Sequence, residues 1–140
     1  MGLYPKNLNE YVAGMGIPRG PKSKVFLVDP VNGATGNTGT TWASPLKTLE
    51  AAYALTTANQ HDVVLFLAGA TADNPAATIT WSNSYTHLIG VGSELPGLGQ
   101  RCRVVNAAAT VMHGPVITFS GNGCIVKNMQ FGNEHAAGTA

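Results

Sequence analysis

The chain has 140 residues, enough for one domain with a real core but too few for two domains. Charged residues make up only 11% of it and the formal net charge is +1, so it lacks the clustered cations that nucleic acids or anionic membranes require. No apolar run is long enough to span a bilayer, and the N-terminus has no secretion signal. Cys102 and Cys124 are too few for a disulfide scaffold and lack zinc-type spacing, so we predict two reduced, buried thiols.

Residues 1–23 are predicted to form an extended N-terminal anchoring arm. The prolines and glycines of this segment interrupt any long helix or strand. It nevertheless holds too many apolar side chains for a disordered linker, so we expect it to lie either on the chain's own domain or on a neighbouring subunit. The candidate assembly contacts in the arm are Leu3, Tyr4, Leu8, Tyr11, Val12, Met15 and Ile17.

A strand, a turn-rich loop and a helix follow the arm. Residues 24–29 are β-branched and aromatic, which favours a strand, and residues 32–41 are rich in Asn, Gly and Thr, which favours tight turns. Asp29, Asn32 and Asn37 could donate oxygens to a calcium ion, but the loop lacks the carboxylate density and the terminal Glu of a dedicated site, which favours turn chemistry over a metal. Ser44 followed by Pro45 is typical of a helix start, and apolar residues at spacings of three and four predict a helix over residues 45–58. This helix should cover one end of the core.

The rest of the chain is predicted to consist of short strands separated by turns, with no second helix. Strands are expected at 63–67, 78–81, 87–91, 103–105, 116–119 and 124–131. The sequence Ile-Thr-Trp-Ser at 79–82 is repeated as Ile-Thr-Phe-Ser at 117–120, an offset of 38 residues, and residues 88–89 match residues 125–126 at an offset of 37. A repeat made of strands and turns predicts a solenoid or a propeller.

Several segments resemble pectin-lyase-like proteins. They are the Val-Asp-Pro-Val-Asn-Gly string at 28–33, the Trp-Ala-Ser-Pro-Leu-Lys-Thr-Leu string at 42–49, and the later segments at 88–92 and 121–129. The resemblance covers residues 24–134 and implies an all-β solenoid, a right-handed parallel β-helix with an N-terminal capping α-helix, over residues 24–140. Within that family, the low charge and apolar arm are similar to structural proteins of tailed bacteriophages.

Catalytic and metal-binding patterns are lacking in this sequence. Between residues 63 and 131 the only acids are Asp73 and Glu94, in different loops, which is a poor basis for the paired carboxylates of polysaccharide-cleaving enzymes. Arg101 and Arg103 are expected on one side of a solvated strand edge. The four histidines, at positions 61, 87, 113 and 135, have no metal-binding spacing. We therefore predict no catalytic residue, no metal site and no cofactor.

The function implied by the resemblance is structural. We expect a virion component of a tailed bacteriophage, a capsid decoration or head-fibre protein anchored by its arm to the major capsid protein or another virion protein, and forming a homotrimer. Residues 132–140 offer no cap for the last strand, so either further chain or another subunit should cover that end. The alternative is a tail spike or tail fibre that binds or depolymerises host polysaccharide. A secreted pectate-lyase-like enzyme is a third reading, disfavoured by the missing signal peptide and calcium-binding aspartates.

Overall fold

The computed structural model describes residues 7–92, 101–106 and 114–133. In these ranges the chain forms two short helices and eight short strands. They are α1 (Leu8–Ala13), β1 (Val25–Val28), α2 (Leu49–Leu55), β2 (Val63–Leu67), β3 (Ile79–Trp81), β4 (His87–Val91), β5 (Arg103–Asn106), β6 (Ile117–Phe119), β7 (Val126–Lys127) and β8 (Gln130–Asn133).

All strand pairs between these elements are parallel. The largest sheet has four strands in the order β1-β2-β4-β7, and two further sheets each have two strands, β3 with β6 and β5 with β8. Parallel neighbours need a crossover connection, which explains why consecutive strands often lie in different sheets. Asn128 has a left-handed backbone (φ 55°) between β7 and β8. It separates the predicted strand at 124–131 into two strands.

The four-stranded sheet is buried on both faces along β1, β2 and most of β4. Because side chains alternate along a strand, each strand contributes to two apolar clusters. On one face Phe26, Val64 and Leu88 pack with α2 and with Trp81 of β3. The alternating residues of the same strands lie on the other face and pack against the N-terminal segment. The buried residues of this second cluster are Leu8, Val12, Ile17, Val25, Leu27, Val63, Leu65 and Ile89.

The prediction of an all-β, right-handed parallel β-helix is wrong. The described residues form a mixed structure of two helices and three separate short parallel sheets of unequal strand number. A solenoid repeats at a constant period, but here Val25 pairs with Val63 whereas Val63 pairs with His87, so successive strands of one sheet are separated by segments of different length. The prediction was drawn from strand and turn preferences, which do not by themselves specify how parallel strands are distributed among sheets.

The strand repeat itself corresponds to a real pairing. Ile79 pairs with Ile117 and Trp81 with Phe119, as the offset of 38 residues predicts. The second offset is wrong by one residue, because Leu88 pairs with Val126 and not with Ile125. A slip of one residue turns every side chain to the opposite face, so the burial of Leu88 determines which partner aligns with it.

The helix predicted over residues 45–58 is shorter than expected. Leu46 takes part in parallel bridging with Val28, and its N–H donates to the Leu27 carbonyl at 2.9 Å, so the chain there is extended. Thr48 instead caps α2 by accepting a hydrogen bond from the N–H of Ala51. Tertiary pairing therefore overrides the Ser-Pro start signal.

Helix α1 was missed by the sequence analysis, which treated residues 1–23 as an extended arm. Asn7 accepts a hydrogen bond from the N–H of Glu10 at 2.8 Å and so caps a helix of one and a half turns. Leu8 and Val12 lie one helical turn apart and are both almost fully buried against the four-stranded sheet. The described part of the arm is thus a packed layer of the chain's own domain.

Replacement of a buried leucine of α1 tests this packing. Leu8 is 2% exposed, whereas Leu55, at the end of α2, is 45% exposed. We expect Leu8→Ala to lower the free energy of unfolding by about 2–5 kcal/mol because it leaves a cavity, and Leu55→Ala to lower it by less than about 1 kcal/mol. Urea denaturation of the two variants beside the unchanged protein measures the difference. Equal, small effects would show that α1 does not stabilise this domain.

Candidate functional site

Strands β6, β7 and β8 are each the last strand of their sheet in the described residues. We call the surface formed by Ile117, Phe119, Val126 and Phe131 the edge surface. Its residues align with buried ones, since Phe119 pairs with Trp81 and Val126 with Leu88, both of which are 0% exposed. Phe119 is nevertheless 40% exposed and Val126 38% exposed. The edge surface is therefore a continuation of the apolar core that meets solvent.

An open groove of about 340 Å³ lies on the edge surface. The rings of Phe119 and Phe131 meet edge to face with centroids 6.1 Å apart, and Phe119 also contacts the Trp81 ring at 5.8 Å. Strands β6, β7 and β8 together carry a single charged residue, Lys127. The groove can take up apolar or aromatic groups, and it offers few groups for acid-base chemistry. It is lined by Pro115, Val116, Ile117, Phe119, Phe131 and Gly132.

A buried polar cluster lies at the N-terminal ends of the strands of the four-stranded sheet, in the turns that precede β1, β2, β4 and β7. At its centre is Asp62, which is completely buried. Its carboxylate accepts hydrogen bonds from the N–H of Lys24 at 2.7 Å and the N–H of Thr57 at 2.8 Å, and its carbonyl accepts from the N–H of His87 at 2.8 Å. Hydrogen bonds to a carboxylate are stronger than neutral ones, so Asp62 ties three chain segments together.

His61 and His87 form a pair beside Asp62. Nδ1 of His61 lies 3.1 Å from Nε2 of His87, and Nδ1 of His87 accepts a hydrogen bond from the N–H of Ile125 at 3.1 Å. His87 is 1% exposed. Burial lowers the pKa of His87, and the positive charges of a protonated His61 and of Arg19 lower it further. His87 is thus held neutral inside the fold.

The two rings are arranged for a hydrogen bond and not for a shared metal ion. Their centroids are 5.3 Å apart and their planes differ by 26°, so the facing nitrogens lie close to the line that joins the rings. Nδ1 of His61 and Nε2 of His87 point at each other, so they cannot both direct a lone pair at one metal ion. Within the described ranges no group of three or more His, Cys, Asp or Glu side chains could hold a metal ion.

The turn residues of the cluster have unusual backbone conformations. His61, Tyr85 and Gly123, in the turns before β2, β4 and β7, all have positive φ, of 58°, 54° and 65°. The rings of His61 and Tyr85 contact each other with centroids 5.4 Å apart. A Cβ at Gly123 would lie 2.5 Å from the Tyr85 ring, so only glycine fits there. The strained turns hold the histidine pair in place.

Of the two acidic residues considered as a catalytic pair, the structure describes only Asp73. Asp73 is 5% exposed, and its carboxylate accepts a hydrogen bond from the N–H of Leu49 at 2.7 Å, so it caps α2 from a distance in sequence. Burial raises the pKa of Asp73, partly offset by that hydrogen bond. Glu94 lies outside the described residues. Asp73 is therefore a structural group without an open approach for a substrate.

The remaining polar candidates also have structural contacts. Asp29 accepts hydrogen bonds from the N–H groups of Val31 and Asn32, and the amide of Asn37 donates to the Pro45 carbonyl, as expected for a turn-rich loop. Arg101 is exposed and donates to Gln130 at 3.4 Å, while Arg103 is half-buried and donates to the Ala70 carbonyl at 3.1 Å. His113 and His135 lie outside the described residues.

The two cysteines are free thiols. Cys102 is 3% exposed and donates to the Phe66 carbonyl at 3.3 Å, and burial raises its pKa to about 11. Cys124 is only half-buried, so the prediction that both thiols are buried is correct for Cys102 alone. A thiol with such a high pKa is a poor nucleophile, which makes Cys102 a packing residue.

The predicted arm contacts divide into three groups. Leu8, Val12 and Ile17 are buried in the cluster under the four-stranded sheet. Tyr11 and Met15 are partly buried against that cluster, and the Tyr11 ring meets Trp42 edge to face at 5.6 Å. Leu3 and Tyr4 lie outside the described residues. The edge surface is open among the described residues, and the sequence pointed to it only through the uncapped last strand.

Comparison with known proteins adds no relative: no protein-family model, curated protein or solved structure matches the chain. Neither of the two helices in the described residues is long and apolar enough to cross a membrane.

Substitution of Asp62 tests the central role of its carboxylate. Asp62→Asn replaces one acceptor oxygen by an N–H donor that faces another donor, so we expect the free energy of unfolding to fall by about 1.5–3 kcal/mol. Asp29→Asn is the matched control, because Asp29 also accepts two backbone N–H groups but is half-exposed, and water can replace it. Chemical denaturation compares the two. A larger loss for Asp29→Asn would contradict the role given to Asp62.

Proposed function

We propose that the chain is a structural component of a tailed-bacteriophage virion, a capsid decoration or head-fibre protein, and that the edge surface is its contact with further copies of itself. The observation that carries the structural role is the apolar edge surface, with Phe119 and Val126 each more than a third exposed. Exposed strand edges with apolar side chains favour association. The virion as the setting rests on the sequence resemblance.

The composition of the edge surface supports a permanent contact with protein. Aromatic residues such as Phe119 and Phe131 are enriched in the centres of protein interfaces, and charged residues are depleted there. Strands β6 and β7 are each the last strand of their sheet in the described residues, and such an edge can add a further strand through backbone hydrogen bonds. A trimer, as the resemblance implies, would cover such an edge in every subunit.

The contacts of the arm change where anchoring should be sought. Leu8, Val12 and Ile17 are already buried by the chain's own sheet, so they are unavailable to another subunit unless this segment leaves the sheet. The proposal therefore assigns self-association to the edge surface. Contact with the major capsid protein or another virion protein is proposed for those arm residues that the chain's own sheet does not bury.

The position of Val126 offers a direct test of the self-association. Val126→Lys places a charge on β7, and Val31→Lys is the matched control, since Val31 is also an exposed valine (45%) but lies in the loop after β1. We expect Val126→Lys to weaken self-association by about tenfold or more, because a buried ammonium group is costly, and Val31→Lys to leave it unchanged. Sedimentation velocity over a concentration series measures both.

The virion setting needs a separate experiment. Electron microscopy of intact particles should locate the chain on the head, and the purified protein should co-sediment with particles that lack it. A stable monomer that binds no particle would overturn the proposal. Turnover of capsular or lipopolysaccharide substrates would replace it by the polysaccharide-cleaving tail spike.

A further inference from the structure

The hydrogen bonds of the histidine pair assign a tautomer to each ring. Nδ1 of His87 accepts the Ile125 N–H, so the proton of the neutral ring is on Nε2. Nε2–H then donates to Nδ1 of His61, which places the proton of His61 on its Nε2. Each of the two contacts, from Ile125 to His87 and from His87 to His61, therefore joins one hydrogen-bond donor to one acceptor.

The pair cannot take up a proton and keep both hydrogen bonds. If His87 becomes charged, its Nδ1 carries a hydrogen that faces the Ile125 N–H. If His61 becomes charged and donates to His87, the neutral His87 must move its own proton to Nδ1, with the same result. If His87 keeps its proton on Nε2, two N–H groups face each other across 3.1 Å and the rings must separate.

Ile125 lies at the point where β7 joins the four-stranded sheet. Its carbonyl accepts a hydrogen bond from the N–H of Leu88 at 2.9 Å, and its N–H has the His87 ring as its acceptor. In a regular parallel pair that N–H would bond to a backbone carbonyl. Strand β7 has only two residues, Val126 and Lys127, so a single hydrogen bond is a large part of its attachment.

We propose that the His61–His87 pair is a pH-sensitive latch that holds Ile125 and the start of β7 against β4 while the pair is neutral and releases them when it takes up one proton. The latch concerns the attachment of a strand within one chain. It does not depend on the proposed virion function.

The groups around the pair favour its neutral state. Desolvation, His61 and Arg19 all lower the pKa of His87. The buried carboxylate of Asp62 is beside them, but it is occupied by the N–H groups of Lys24 and Thr57 and interacts electrostatically with Arg19. The other titratable groups on the facing elements are the side chains of Lys24, Tyr85, Cys124 and Lys127.

The lowered pKa determines the direction of the pH dependence. An unfolded histidine titrates at 6.5, so the unfolded chain binds the proton before folded His87 does. The neutral His87 makes its full contribution to the free energy of unfolding above pH 6.5. This contribution is lost as the pH falls from 6.5 through the lowered pKa of the folded state. Release of β7 should occur in the same acidic range.

NMR of the full chain follows the latch directly. Imidazole nitrogen shifts at about pH 7.5 should show His87 protonated on Nε2 alone. Between about pH 7.5 and about pH 5, the protection of the Ile125 amide, corrected for its intrinsic exchange rate, should fall about tenfold as the pair takes up a proton. The Ile79 amide, which donates to the Val116 carbonyl, is the internal reference and should keep its protection.

Two variants separate the latch from general acid unfolding. In His87→Asn the side-chain oxygen can accept the Ile125 N–H but does not titrate, so the Ile125 amide should stay protected at about pH 5. In His61→Asn the side-chain oxygen can accept from Nε2 of His87, asparagine tolerates the positive φ, and His87 alone should release Ile125 on titration.

The wild-type titration decides the proposal even if a variant does not fold. It is overturned if His87 carries its neutral proton on Nδ1, if the pair takes up no proton above about pH 4.5, or if the Ile125 amide remains as protected as the Ile79 amide after uptake. Equal loss of protection at both amides would mean global unfolding and would also overturn it.

Discussion

The parallel pairing of β2 with both β1 and β4 is the constraint on which the rest of the structure depends. Val63, Val64 and Leu65 are completely buried, with one apolar cluster on each side. A strand buried on both faces must satisfy its backbone groups through its neighbours, and β4 pairs with all five residues of β2 and β1 with the first four. The two clusters then fix where α1 and α2 pack.

The same constraint creates the two features with functional meaning. At the start of the strands the turns must be tight, which produces the positive φ of His61 and Tyr85 and brings two histidines together beside Asp62. At the outer strands the apolar columns continue through Phe119 and Val126 to the surface. In our proposals the first feature responds to protons and the second to apolar partners, and β7 belongs to both.

The histidine pair of the described structure illustrates the limits of spacing arguments. His61 and His87 have no metal-binding spacing in the sequence, so that spacing does not predict that they form a pair. They meet because β2 and β4 are parallel neighbours in which Val63 pairs with His87, so His61 lies only two residues from the partner of His87. The available signal was the alignment of Asp62-Val63-Val64 with Thr86-His87-Leu88, which places a histidine among valines.

Local sequence patterns are enough to predict most of the strands and one of the strand pairs. β-Branched runs identify most of the strands, and the repeated Ile-Thr-aromatic-Ser unit identifies the pairing of β3 with β6, since like residues stack in register. The other features of the fold depend on contacts between segments that are distant in sequence. Leu46 joins β1 instead of beginning a helix, α1 covers the sheet, and the connections differ in length, so the expected solenoid is replaced by three short sheets. Burial against partners distant in sequence outweighs local preference at each of these places, because a buried backbone group or apolar side chain contributes more free energy than a cap or a turn signal.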